Sequence, residues 1–429
     1  MSNWQEIYKS KLRTFDEAVS LIKDNDRVWM SPASATPIQL IEALQKRALA
    51  KEINGDHLVS GQMLVPFEFL KSAEHRPHLT YDTVFFGILE RKLAKFGNIN
   101  INSCQFSQLA NALEDYRINV CMCDVSEPDA EGYMSLGPMG VCITPKALEL
   151  SDVILVQVNK NQPRVKGSSS RIHVSEVTAI TEGDHVLPEF PSPPPSELDQ
   201  KIANLILPEI PDGSTIQIGL GGLSNAIGYG LEAKRGLSIH AEMLTECIMH
   251  LYEAGAIDGK IEAALGLGSN KFAEWLGEHA EFAPFWEIND PRNIQHFDSL
   301  ISVNQCLMAD LTGQVCSESV GHQQVSGIGG QIDFVQGATW SKGGKSFLCL
   351  TSTTEVNGEL TSNIMLNLPA GEVVTTPRAL VMYVATEYGI ADLRNKSIPD
   401  RVHAMISIAH PDFREKLTQQ AIKAGLITE

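Results

Sequence analysis

Residues 215–233 read TIQIGLGGLSNAIGYGLEA, and this stretch decides the fold. A short apolar β run, Thr215 to Gly219, gives way to glycines and small residues and then to a helix opening near Asn225. Strand, glycine turn and helix in that order are the building unit of parallel α/β sheets. The order recurs near the start of the chain. There RVWMS at 27–31 is followed by PASAT and by a helix beginning near Pro37, PIQLIEALQKRAL. A second correspondence sets DVILVQVN at 152–159 beside DSLISVN at 298–304, both apolar β runs closing in Val-Asn. Two matches in one order indicate a duplicated α/β unit with mainly parallel sheets. Between the halves, LPEFPSPPPSELD at 187–199 has prolines at 188, 191, 193, 194 and 195, a density that forbids helix and central strand. The expected organisation is a domain at 1–187, a stiff linker at 188–196 and a domain at 197–429, with Ser196-x-x-Asp199 capping the next helix. In such sheets ligands bind beyond the carboxyl ends of the strands, here expected between the halves.

Composition narrows the partners. With 429 residues, 43% hydrophobic and 20% charged, the chain reads as a globular enzyme of two domains. Its 34 basic and 52 acidic residues leave a net charge of −18, which repels nucleic acid and anionic membranes, so neither is an expected partner. An anionic ligand would need a local cradle of backbone N–H groups and a few cations. The opening MSNWQEIYKSKLRTF has no apolar signal core, and no window approaches the ~18 apolar residues of a spanning helix, so a cytoplasmic location is expected. None of the eight cysteines forms a C-x-x-C pair, which reads as buried reduced thiols. His240-Ala-Glu242 begins like a zinc-deaminase motif, but no P-C-x-x-C follows it and H-E-x-x-H is absent; no metal is expected.

Three features can carry chemistry. In the turn Gln217, Ile218, Gly219, Leu220, Gly221, free N–H groups and the following helix favour an anion or a developing oxyanion. A dinucleotide fingerprint fails there because Ser224 stands where a third glycine or alanine belongs, and a plain tight turn remains an alternative. LSIHAEM at 237–243 then offers Glu242 as a solvated acid, as a nucleophile or base facing the glycines, or as a ribose contact. Finally, SGIGGQIDFVQGA at 326–338 allows close backbone approach and is followed by Lys342 and Lys345, which suits a phosphate or simply a hairpin turn.

As a set these motifs resemble the acetyl-CoA hydrolase/transferase family. The resemblance also rests on Val158-Asn159 with Gln162-Pro163-Arg164, on SVNQCLMADLTGQV at 302–315, on VTTPRALVMYVATEYGIADLRNKS at 374–397 and on AHPDFREKL at 409–417. It implies two CoA-transferase-like (NagB/RpiA-like) α/β domains with the active site between them, and Glu242 as the nucleophile. By the same resemblance Gln217 to Gly221 contact CoA, Ser326, Gly329 and Gly330 form an oxyanion element, and Lys345, or else Lys342, meets the pantetheine-phosphate arm. Asn304 and Glu387 line the site, and the loop from Ser34 through Thr36 to Pro37 supplies the acyl pocket. HAEM stands where the family more often has HTEM, and MLTEC replaces an Asp-containing stretch; neither change touches the nucleophile. The implied reaction moves CoA from acetyl-CoA or butyryl-CoA to a small acid such as 4-hydroxybutyrate. CoA is both substrate and covalent carrier, and no nicotinamide takes part. A hydrolase on the same scaffold, or a non-catalytic CoA or sugar-phosphate binder, are the alternatives, and a homodimer is among the open assembly states. A glutamate of ordinary pKa, about 4.3, would be ionised at pH 7 but a poor nucleophile in water.

Overall fold

Runs that are apolar on both faces become the central strands. Val28, Trp29 and Met30 are all buried, as are Thr215 to Ile218, because helices cover each sheet on both sides. The computed structural model describes residues 4–428 as mixed α/β with mainly parallel sheets. It divides into two compact units, the first holding Met1–Pro191 with Glu262–Ile288 and the second Ser192–Ile261 with Asn289–Glu429.

In the first unit, β1 (Arg27–Met30), β2 (Asp56–Ser60), β3 (Leu79–Thr83), β4 (Ile99–Ile101), β5 (Val120–Val125), β6 (Val153–Asn159) and β7 (Ala179–Gly183) form one sheet. Its order is β7-β6-β5-β1-β2-β3-β4, and every neighbouring pair is parallel. The helix Ile38–Leu49 follows β1 and buries Leu40, Ile41 and Leu44 in a core shared with Val28, Met30 and Tyr81.

The second unit repeats the plan. Here β8 is Thr215–Ile218 and β9 Leu237–Leu244; β10, Ile257–Gly266, carries the chain out, so that 262–288 belong to the first unit. After the return come β11 (Leu300–Gln305), β12 (Lys345–Cys349), β13 (Tyr383–Thr386) and β14 (Gly389–Asp392). The order β14-β13-β12-β11-β8-β9 is parallel apart from the β13–β14 hairpin.

β8 therefore occupies the place of β1, central and followed by a loop and a helix. The second correspondence of the sequence is a mismatch. DSLISVN ends in β11, which neighbours β8, whereas DVILVQVN forms β6, one strand further from β1. The strand in the place of β11 is β5. Both runs bury their apolar centres, Ile154 to Val158 and Leu300 to Val303, and a continuous apolar run records burial but not its place in the order.

Residues 184–196 carry no helix or strand. Within the second unit Asn225 Nδ2 donates to Ser192 Oγ and to the Pro193 carbonyl, both at 2.7 Å. Ser196 then opens the helix Glu197–Ile206 with a reciprocal cap: Asp199 N donates to Ser196 Oγ and Asp199 Oδ2 accepts from Ser196 N. A cap of this kind stabilises by about 1 kcal/mol. All eight cysteines are free thiols, seven of them buried. Among the described residues no helix is long and apolar enough to cross a membrane.

Candidate active site

Glu242 sits near the carboxyl end of β9, on the face it shares with His240. His240 is core: it is 2% exposed and its ring stacks on Phe297 with centroids 4.2 Å apart. Phe334, from the helix Gln331–Trp340, lies 6.0 Å from the same ring. The amino terminus of that helix meets the Glu242 carboxyl. A Cβ built on Gly330, its N-cap, would stand 2.1 Å from Glu242 Oε2 and equally close to Asn289 Nδ2. Only glycine fits there. The Gly330 N–H donates to the carboxyl, and Asn289 Nδ2 donates to Oε2 at 2.9 Å.

Burial pushes the Glu242 carboxyl up to about 7, and the charge of Asp333 in the helix's first turn adds to this. The Asn289 amide and the Gly330 N–H act in the opposite direction by favouring the ionised form. Part of the Glu242 side chain still meets solvent, so the group is enclosed yet reachable. Enclosure by Asn289 and Gly330 speaks against a freely solvated acid at Glu242.

Asn289 was not legible in the sequence. It is fully buried, lies 47 residues from Glu242, and its Oδ1 has no hydrogen-bond partner. The one local signal is Asp290-Pro291 directly after it, which opens the short helix Pro291–Ile294 and so fixes the chain direction at Asn289.

The glycine turn after β8 lies at the same edge of the sheet. Ile216 pairs with Ile239, a parallel register that sets Gly219 level with Glu242. Gln217 and Asn304 exchange side-chain hydrogen bonds of 3.1 Å, and Ser302 Oγ donates to Gln217 Oε1 at 2.6 Å. Gly219 N donates to the Val303 carbonyl, while Gly221, at φ 120°, passes so close to Gln305 Oε1 that a Cβ would come within 2.5 Å. The turn Gln217, Ile218, Gly219, Leu220, Gly221 is thus fastened to the end of β11 by backbone and amide groups.

With this arrangement in view, comparison with known proteins is decisive. The N-terminal domain model of the acetyl-CoA hydrolase/transferase family matches residues 1–190, and its C-terminal domain model matches 268–421. The chain belongs to the acetyl-CoA hydrolase/transferase family. It is 36% identical to the 4-hydroxybutyrate coenzyme A transferase of Clostridium kluyveri, over 97% of this chain and 98% of that one. It is 35% identical to the butyryl-CoA:acetate CoA-transferase of Anaerostipes caccae, over 99% and 98%. The crystal structure of RipA from Yersinia pestis superposes with a TM-score of 0.91 at 31% identity, covering 99% of this chain and all of that one.

The remaining residues singled out by the family resemblance are held by their own local contacts. Ser326 opens the segment that ends at Gly330, and its N–H, like that of Val325, donates to the carbonyl of buried Glu318. Gly329 has φ 56°, a left-handed conformation that suits glycine. Glu387 follows β13 at the carboxyl edge, where Ser352 donates to it through N at 2.9 Å and Oγ at 2.5 Å. Ser34 and Thr36 are buried in the loop after β1 of the first unit, and Thr36 Oγ1 donates to the Ser31 carbonyl.

Lys345 is separated from this group. It is the first residue of β12, level with Ile301 and hence with Ile216 and Ile239, toward the amino ends of the strands. Its Nζ is held by Glu209, at 2.7 Å from Oε2 and 3.0 Å from the carbonyl oxygen. Lys342 pairs with exposed Asp298 at 3.6 Å, just before β11. Strand direction explains the correction: lysines that enter a parallel strand stand at the edge opposite residues that leave one. We expect Lys345→Ala to leave the Michaelis constant for acyl-CoA within about twofold of the parent. It should cost no more than about 1 kcal/mol of stability, as for other partly exposed ion pairs; initial-rate kinetics and denaturant melts check both.

Proposed function

We propose that this CoA-transferase moves CoA from a short acyl-CoA, acetyl-CoA or butyryl-CoA, to a small carboxylic acid such as 4-hydroxybutyrate, with Glu242 as the covalent nucleophile. The observation that carries the reading is a reachable carboxyl gripped by the Asn289 amide and the Gly330 N–H at a helix amino terminus. The names of the two transferases above, one for 4-hydroxybutyrate and one for butyryl-CoA and acetate, support the substrate class.

The Glu242 carboxylate attacks the thioester carbonyl, the C–S bond breaks, and CoA leaves as a thiolate, giving an acyl-glutamyl anhydride. The thiolate then attacks the glutamyl carbonyl and releases the first acid, leaving a glutamyl-CoA thioester. A second carboxylate expels the thiolate from that thioester, and the thiolate attacks the new acyl carbonyl to regenerate Glu242. When the glutamyl carbonyl is attacked, negative charge grows on its oxygen, which the Asn289 Nδ2 and the Gly330 N–H already face. Such a donor contributes about 3–4 kcal/mol to the transition state. Its enclosed setting strips water from the carboxylate and makes it a better nucleophile than a solvated one.

The test is initial-rate kinetics with both substrates varied. Parallel double-reciprocal lines are expected, because the first acid leaves before the second enters. Intersecting lines would contradict the covalent route, and release of free CoA at full rate without acceptor acid would assign a hydrolase instead. A further expectation concerns pH. Only the ionised carboxylate attacks, so kcat/KM for acyl-CoA should climb as pH rises, with an apparent pKa near 7 in the free enzyme. A profile flat from pH 5 to 8 would show that Glu242 keeps an ordinary carboxylate pKa.

A further inference from the structure

The first unit has a cavity of about 410 Å³ on one face of its sheet, lined from β1, β2 and β3 and from the chain around Asp115. Three neighbouring strands present side chains to it on one face. Arg27 opens β1 and pairs in register with His57 of β2, while Val59 of β2 pairs with Asp82 of β3. Tyr116 and Arg117, from the end of the helix Leu109–Asp115, complete the wall.

The charges in this cavity are arranged unequally. Asp82 is saturated: Oδ2 lies 2.5 Å from His57 Nδ1, and Oδ1 accepts from Asn100 Nδ2 at 2.6 Å. Neither arginine makes an ion pair, in a chain with 52 acidic residues against 34 basic ones. Arg27 reaches only the Gly55 carbonyl at 3.3 Å, and the guanidinium of Arg117 has no partner. Asp115 at the rim is the one lining carboxylate not already paired.

Arg117 is also placed at a conformational cost. It holds φ 56° directly after the helix, the position where glycine is usual. A non-glycine residue there costs of order 1 kcal/mol, as it does for Lys51 at φ 61° after the helix Ile38–Leu49. The Tyr116 hydroxyl, pushed up to about 12 by burial, stays a donor at neutral pH.

We propose that this cavity is a second ligand site, which takes the oxyanion end of a small metabolite, phosphoryl or carboxylate, between Arg27 and Arg117. Guanidinium groups suit both, since their forked N–H donors match two oxygens at once. The volume exceeds that of an inorganic anion and lies in the range of small-molecule sites. The half-buried Tyr116 ring supplies apolar surface for the rest of the ligand.

Calorimetric titration of the full chain with inorganic phosphate and with succinate tests this. Saturable binding of at least one probe is expected, weakened about tenfold or more by Arg117→Gly and by Arg27→Gln. Arg117→Gly relieves the left-handed strain and so should fold at least as well as the parent. Glu242→Gln should leave that binding unchanged, which keeps the result separate from the fate of the catalytic reading. Phosphate bound in preference to succinate identifies a phosphoryl ligand, and the reverse a carboxylate. Saturable binding of neither probe, or binding to Arg117→Gly equal to the parent, overturns the proposal.

Discussion

Glu242→Gln should abolish CoA transfer, lowering kcat by roughly 10⁴-fold or more, as removal of a covalent nucleophile does in other enzymes. The amide keeps the shape of the side chain and can still accept from Asn289 Nδ2, but it cannot form an anhydride. Glu242→Asp should also fail, because one methylene less withdraws the carboxylate from a spot defined by Asn289 and Gly330 within ångströms. Stability separates this loss from unfolding. Glu242 has a folded pKa of about 7 against about 4.5 when unfolded. The acid is therefore at no disadvantage below pH 4.5, and its contribution falls as pH rises through 7. Above pH 8 the Gln variant should be the more stable one, by on the order of 2 kcal/mol after allowance for the part of the side chain in water. An inactive variant that melts above the parent at pH 8 and not at pH 4.5 meets both expectations. Retention of more than a few per cent of activity by Glu242→Ala would end the covalent reading.

Gly330→Val should be the next most damaging change. Its Cβ would enter the space of Glu242 Oε2 and Asn289 Nδ2, each only 2.1 Å from the ideal position. Either the carboxyl or the helix amino terminus must then move. A misplacement of about 1 Å, or loss of one oxyanion donor, costs roughly 10²–10³ in kcat. Gly330→Ala carries the same Cβ and should fall in the same range, with a smaller effect on folding. The turn-only reading of the segment predicts near-parental kcat for both, so single-turnover rates of the two variants decide between them.

What the sequence could disclose depended on whether a signal was local. The strand-turn-helix at 215–233 and its twin at 27–49 were legible because apolar runs, small residues and helix periodicity follow one another without interruption. The meeting of Glu242 with Gly330 came from the family resemblance; spacing alone left a plain turn as an equal option. Asn289 escaped because nothing in the sequence around it marks it as facing a residue 47 positions away. The lysines misled because glycines and cations close in sequence suggest one cradle, whereas the helix Gln331–Trp340 runs between them and carries Lys345 to the other edge of the sheet. The excursion of 262–288 to the first unit was equally silent, since its strand and helices look like any others.

One covalent bond, between Glu242 and CoA, distinguishes this mechanism from direct transfer. Protein incubated with acetyl-CoA, without acceptor acid, should accumulate CoA on Glu242. Borohydride should convert that thioester to an alcohol and hydroxylamine should convert it to a hydroxamate. Peptide mass spectrometry should find either product on the fragment containing Leu237 to Leu244, at Glu242 and in no other peptide, and should find neither in Glu242→Gln. Active enzyme that yields no adduct under either reagent, or an adduct on a different residue, would contradict it.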